Sequence, residues 1–148
     1  MKTIGRHLLA EFYGCDERVL GDIEKIRNHM LTAAGTIGAV VMGETFHRFT
    51  PRGVSGAVVI SESHLAIHTW PESGYVAIDI YTCGGLDPNP AVRELANSFG
   101  TKRYRVQEIL RGLPEDLAPQ RAYLPKDAIP ITRMTSVRET KSVSPKDT

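Results

Sequence analysis

The sequence predicts an α+β fold, a two-layer α/β sandwich in which one antiparallel sheet carries two helices on one face, in the order βαββββαβ. Three observations predict it. Four successive runs between Ile37 and Thr82 are dense in β-branched and aromatic residues. The connections Thr50 to Gly53 and Pro71 to Gly74 are far shorter than the dozen or so residues of a parallel crossover, so neighbouring strands pair antiparallel. One helical stretch precedes this block and one follows it.

In chain order, Thr3 to Tyr13 reads as a strand that Gly14 and Asp16 end. From Asp16 to Leu31, Val19, Leu20, Ile23, Ile26 and Met30 recur at helical spacing, with Asp16 as the N-cap and Gly35 beyond the end. The charges along that helix form its solvated face. Ile37 to Phe49, Val54 to Ser61, His64 to Trp70 and Tyr75 to Thr82 are the four central strands. Pro88 or Pro90 opens a second helix through Ala91, Val92, Leu95, Ala96 and Phe99, which Gly100 stops, and Lys102 to Leu110 is a last strand. Residues 1–112 then make one domain. Residues 113–148, rich in Pro, Lys, Ser and Thr, read as an extended, flexible tail. With both helices on one face, the other face needs cover, and a second copy of the chain would supply it, so a homodimer is expected.

Bulk properties narrow the function classes. The 148 residues are 41% hydrophobic and 24% charged, a globular composition with room for one core. A formal net charge of +1 with interleaved signs provides no footprint for a nucleic-acid backbone. The two cysteines, Cys15 and Cys83, are too few for a disulfide framework and suit a reducing cytoplasm. The N-terminal stretch is interrupted by His7 and Glu11 and lacks the pattern of a signal peptide, and no apolar run is long enough to span a bilayer.

The stretch Phe46 to Gly85 is the most informative. Its run Ser61-Glu62-Ser63-His64-Leu65, the following Ile67-His68-Thr69-Trp70-Pro71-Glu72, and Thr82-Cys83-Gly84 closely resemble the prokaryotic S-adenosylmethionine decarboxylase proenzymes. Gly5-Arg6-His7-Leu8, Phe46-His47-Arg48-Phe49 and Gly53-Val54-Ser55-Gly56 extend the resemblance over about residues 1–112. It implies a chain that breaks its own Glu62–Ser63 bond into a β chain, 1–62, and an α chain, 63–148. Ser63 becomes a pyruvoyl group that holds the substrate as a Schiff base, with no pyridoxal phosphate and no metal. The resemblance assigns His68 as proton acceptor in processing, Ser55 as a second processing residue and Cys83 as the proton donor in decarboxylation. Phe49 and Trp70 would stack on the substrate, Glu72 would bond its ribose, and Glu11 would help orient it. The substrate so implied is S-adenosylmethionine, and the product is decarboxylated S-adenosylmethionine for spermidine synthesis.

Each step has a physical basis. A positioned neighbouring hydroxyl has a large effective molarity against its own peptide bond. Neutral imidazole suits a base near neutral pH, and a ketone serves as the electron sink. Stacking and cation–π attraction suit an adenine face and a sulfonium. Strict strand alternation, however, sets Ser63 and His68, five positions apart, on opposite faces, so the chain bends or they meet otherwise.

Taken singly, Ser63 is a strand-end serine, Cys83 and Cys15 are small hydrophobes, and Phe49 and Trp70 are core residues. His64 and His68 have a metal spacing for a helix, not for a strand. Arg6 and His7 receive no role. Two other readings stay open: a pyruvoyl-dependent arginine or other amino-acid decarboxylase of the same family, and an uncleaved, silent regulatory subunit on the same fold.

Overall fold

A computed structural model describes residues 4–113 and 137–140. It contains a seven-stranded antiparallel sheet in the order β2-β3-β4-β5-β1-β6-β7. The strands are β1 (Gly5–Tyr13), β2 (Val40–Arg48), β3 (Val54–Ser61), β4 (Ser63–Trp70), β5 (Tyr75–Cys83), β6 (Arg103–Arg111) and β7 (Val137–Thr140). The helices are α1 (Glu17–Leu20), α2 (Ile23–Thr36) and α3 (Asn89–Ser98), with a 3-10 turn at Pro71–Ser73.

The α+β sandwich is as predicted, with three differences. The first predicted helix is two, because Asp22 adopts an extended backbone and its carboxylate accepts from the N–H groups of Glu24 and Lys25, starting α2 afresh after α1 closes at Gly21. That second helix runs past Leu31 to Thr36, since Ala33 and Ala34 are buried against the sheet; the next strand begins only at Val40, after Gly38 turns the chain with φ 75°. Val137–Thr140, within the stretch read as a tail, pairs with β6 as an edge strand. The rest of that stretch beyond Leu113 lies outside the described residues.

Strand alternation divides the sheet into two unlike faces. Leu8, Ala10 and Phe12 of β1, Val76, Ile78 and Ile80 of β5, and Leu65 and Ile67 of β4 all point to the helices and are buried. They meet Leu20, Ile26, Met30, Leu95 and Phe99 in one hydrophobic cluster. Each such large side chain contributes about 1.5–3 kcal/mol on burial. Thr69 adds a polar stitch to this side: its hydroxyl accepts from Val54 N and donates to Leu20 O, both at 2.9 Å, so α1 is tied to β3 and β4. At Gly56 the missing side chain leaves room for the Phe46 ring, which a Cβ would meet at 2.0 Å.

The opposite face carries His7, Leu9 and Glu11 from β1, Asp79 and Tyr81 from β5, His64, His68 and Trp70 from β4, and Ser55 and Val59 from β3. No described helix covers it. The residues expected to carry chemistry are concentrated on this open face and at its two ends.

Candidate active site

At one end, the β3–β4 hairpin closes with Ile60 opposite Ser63, so Ser61 and Glu62 form a two-residue turn. The Ser63 hydroxyl donates to the Glu62 carbonyl oxygen, in the peptide bond expected to break. The same oxygen of Ser63 lies 3.1 Å from Cys83 Sγ, the thiol at the last residue of β5. Glu62 itself is exposed on the turn, while Ser63 and Cys83 are half-buried.

Tyr81, two residues before Cys83 on the same face, was not singled out by sequence. Its ring lies across Gly5, the cross-strand partner of Cys83, and a Cβ at Gly5 would sit 2.4 Å from Tyr81 Cε2. Burial, followed by the neighbouring Cys83, holds the Tyr81 phenol above its ordinary range, so it is a neutral hydroxyl. The His7 ring packs on Tyr81 at 5.3 Å and the Arg111 guanidinium lies over it at 5.4 Å.

Arg111 Nη1 is 3.1 Å from His7 Nδ1. A guanidinium can only donate, so Nδ1 accepts. Burial lowers the His7 pKa, so the ring is neutral and its proton is on Nε2, which is buried without a partner among the described residues. His7, His64 and Asp79 place ligand-type atoms within 4.8 Å of one another. With its lone pair on Arg111 and its other nitrogen protonated, His7 as it stands offers a metal nothing.

The second group lies at the other end of the open face. Ser55 and His68 are direct cross-strand partners, and Ser55 Oγ is 2.7 Å from His68 Nδ1. Next to them Trp70 stacks on Tyr75 at 5.2 Å, and Tyr75 stacks on Tyr13 at 5.5 Å. Both tyrosine hydroxyls donate to Glu11, from Tyr75 at 3.0 Å and from Tyr13 at 3.2 Å. Burial and then the Glu11 carboxylate push the Tyr75 phenol up to about 12. Phe49 is 48% exposed and Trp70 41%, which leaves aromatic surface free, and Glu72 is exposed on the 3-10 turn that follows Trp70. The loop that carries Phe49 is held by Phe49 N to Gly53 O at 2.9 Å and by Arg52 to Glu17 at 2.6 Å.

The predicted site residues therefore fall into two groups. Glu62, Ser63 and Cys83 form one; Ser55, His68, Phe49, Trp70, Glu72 and Glu11 belong to the other. His68 lies five residues along β4 from Ser63, about 16 Å at a strand's rise per residue, and on the opposite side of the pleat. The β3–β4 pairing runs without a register shift from Ile60–Ser63 to Ser55–His68, so within one chain the two stay apart. Glu11 pairs with Ala77, six residues from Cys83 along β5, and its carboxylate is engaged by the two tyrosines.

The chain matches the S-adenosylmethionine decarboxylase family over residues 6–112. It is 51% identical over 129 residues to an S-adenosylmethionine decarboxylase proenzyme of Fervidobacterium nodosum, covering 82% of this chain and 93% of the relative. It is 52% identical over 129 residues to the proenzyme of Thermotoga maritima, covering 82% and 98%. The solved adenosylmethionine decarboxylase of Aquifex aeolicus is similar in structure, with a TM-score of 0.72 and 33% identity over 81% of this chain and 100% of that one.

Proposed function

This chain belongs to the S-adenosylmethionine decarboxylase family, and from that membership we propose that it cuts itself before Ser63 and then decarboxylates S-adenosylmethionine at the new terminus. It is a decarboxylase whose product feeds polyamine synthesis. The observation that carries the self-processing reading is the Ser63 hydroxyl, held between the Glu62 carbonyl and the Cys83 thiol.

Processing starts when Ser63 Oγ adds to the Glu62 carbonyl carbon and the C–N bond breaks, leaving an ester and a free Ser63 amine. A base removes the Ser63 α-proton, Glu62 departs as a carboxylate, and hydrolysis of the resulting enamine releases ammonia and leaves a ketone. His68 is the base and Ser55, bonded to it, orients its ring. The residues at this end fit such a group: hydroxyl and carbonyl touch, and the turn is exposed enough for water to enter. When formed, the pyruvoyl group supplies a carbonyl that takes the substrate amine and accepts the electron pair freed with carbon dioxide. Cys83 then gives the proton to the substrate α-carbon from a thiol already beside the Ser63 position. Phe49 and Trp70 flank the nucleoside and Glu72 holds its ribose hydroxyls.

The separation of Ser63 from His68 supports a homodimer of proenzymes. A second copy packed on the open face by a two-fold axis can set the Ser55–His68 end of one chain against the Ser63–Cys83 end of the other, and the arrangement repeats by symmetry. Glu11 in this assembly supports the aromatic row rather than the reacting atoms. No helix among the described residues is long and apolar enough to cross a membrane, and the two free thiols support a cytoplasmic enzyme.

Two measurements test the reading. Intact mass should show two fragments, the larger blocked by a keto terminus; a persistent full-length chain would favour a silent subunit. Carbon dioxide release should occur from S-adenosylmethionine, and release from arginine alone would remove the substrate assignment.

A further inference from the structure

Cys83 is the last residue of its strand, and Gly84 and Gly85 follow it. Gly84 has φ 67°, and a Cβ at either glycine would meet nothing within 4 Å, so neither backbone freedom nor packing fixes the chain there. A thiol at this strand end would fray unless the loop were tied beyond the glycines. Three polar ties do this. Thr82 Oγ1 donates to Leu86 O at 3.3 Å. Asp87 accepts from Asn89 N at 3.1 Å and Asn89 Nδ2 at 2.7 Å, which joins the loop to α3. Arg6 Nη1 donates to Asp87 Oδ1 at 3.2 Å.

The Arg6 tie differs from the others because its far end is anchored in the sheet. Arg6 stands on β1 opposite Thr82, and its Nε donates to Glu108 of β6, a buried carboxylate. One guanidinium thus spans from the sheet interior to the loop, and its planar fork allows both bonds at once. Burial opposes the Arg6 charge, yet its bonds to Glu108 and Asp87 prevail and its pKa is raised; Asp87, against a partial loss of solvent, is lowered by Asn89 and Arg6.

We propose that Arg6 is a positioning residue for Cys83, acting through Asp87 to fix the Gly84–Asp87 loop so that the thiol stays beside Ser63. The role rests on the reading of Cys83 as the proton donor. Arg6 also neutralises buried Glu108, so removing it outright would test folding and not positioning. Asp87, more than half exposed at its side chain, is the better probe. Asp87→Asn keeps an amide oxygen as acceptor for Asn89 N and Nδ2 and removes the charge that assists those bonds and the tie to Arg6, so the double variant with Arg6 isolates the clamp.

The test measures self-processing, thermal midpoint, KM and kcat for carbon dioxide release from S-adenosylmethionine in the full chain. For Asp87→Asn, processing stays complete, KM stays within about twofold and the midpoint within about 2 °C, while kcat falls about threefold to tenfold. Arg6→Lys, which keeps a cation for Glu108 but lacks the fork, loses kcat by a similar factor, and the double variant is no worse than the worse single one. An Asp87→Asn kcat within about 1.5-fold of the parent, or additive losses in the double variant, would overturn the clamp. If the parent itself releases no carbon dioxide from S-adenosylmethionine, the functional reading fails instead; an active parent with an insensitive Asp87→Asn overturns only the clamp.

Discussion

Cys83 Sγ lies 3.1 Å from Ser63 Oγ, across from the turn that holds the Glu62 carbonyl, so the bond proposed to break and the thiol proposed to protonate product occupy one place. β4 and β5 are neighbours in the sheet, and their pairing brings the end of one to the start of the other. Processing and turnover can therefore be separated by changing one partner at a time.

Ser63→Ala removes the only hydroxyl in contact with the Glu62 carbonyl among the described residues. The variant stays in one piece on a denaturing gel, and carbon dioxide release falls to the blank. A two-fragment pattern would move the cleavage site elsewhere.

Cys83→Ala leaves the Ser63–Glu62 contact in place. It processes to two fragments, and kcat drops by about a hundredfold or more, the scale of a lost general acid. Undiminished turnover would assign the proton to another group.

Mixing two inactive variants tests the two-fold arrangement. His68→Ala alone stays uncleaved, as does Ser63→Ala. In co-expressed mixtures the His68→Ala chain is cut, because its intact Ser63 meets the His68 of a Ser63→Ala chain in the mixed dimer. Mass spectrometry of differently tagged chains reads this directly. A mixture without cleavage would place both residues' action within one chain.

Phe49→Ala removes a half-exposed ring that touches only His47, at 4.7 Å, among the ring contacts around it. KM for S-adenosylmethionine rises about tenfold, the worth of one aromatic stack, while processing is unchanged. Equal KM in the variant and parent would leave Phe49 without a role in binding.

The two thiols should also react differently. Burial pushes the Cys15 thiol up to about 12, whereas Cys83 is partly exposed. Because the thiolate is the nucleophile, alkylation at pH 8 modifies Cys83 in the native protein, and Cys15 reacts only after denaturation. Native labelling of both at similar rates would contradict the burial of Cys15.

Much of the fold was legible because strand and helix signals are local. β3, β4 and β5 were predicted within a residue of their ends, since alternating apolar residues and Pro or Gly punctuation mark them. The split of the first helix was not, because the apolar spacing runs on through Gly21 and Asp22; only the extended backbone at Asp22 separates α1 from α2. The aromatic row Trp70–Tyr75–Tyr13 and the ring of Tyr81 over Gly5 were also missed. Each depends on which residues face each other across strands, and a shift of one residue would turn every one of them away.

By itself, the chain's residue order determined the antiparallel block, the break between two strands at Glu62, and the family motifs around it, because each depends on neighbours within a few residues. Tertiary structure alone decided that Ser63 touches Cys83, that His68 touches Ser55, and that the two pairs stand at opposite ends of the sheet's central strands. The physical reason is register: burying Leu8, Leu65, Val58 and Ile80 on the helical side sets how each strand slides against the next, and that offset selects which distant side chains meet on the other side.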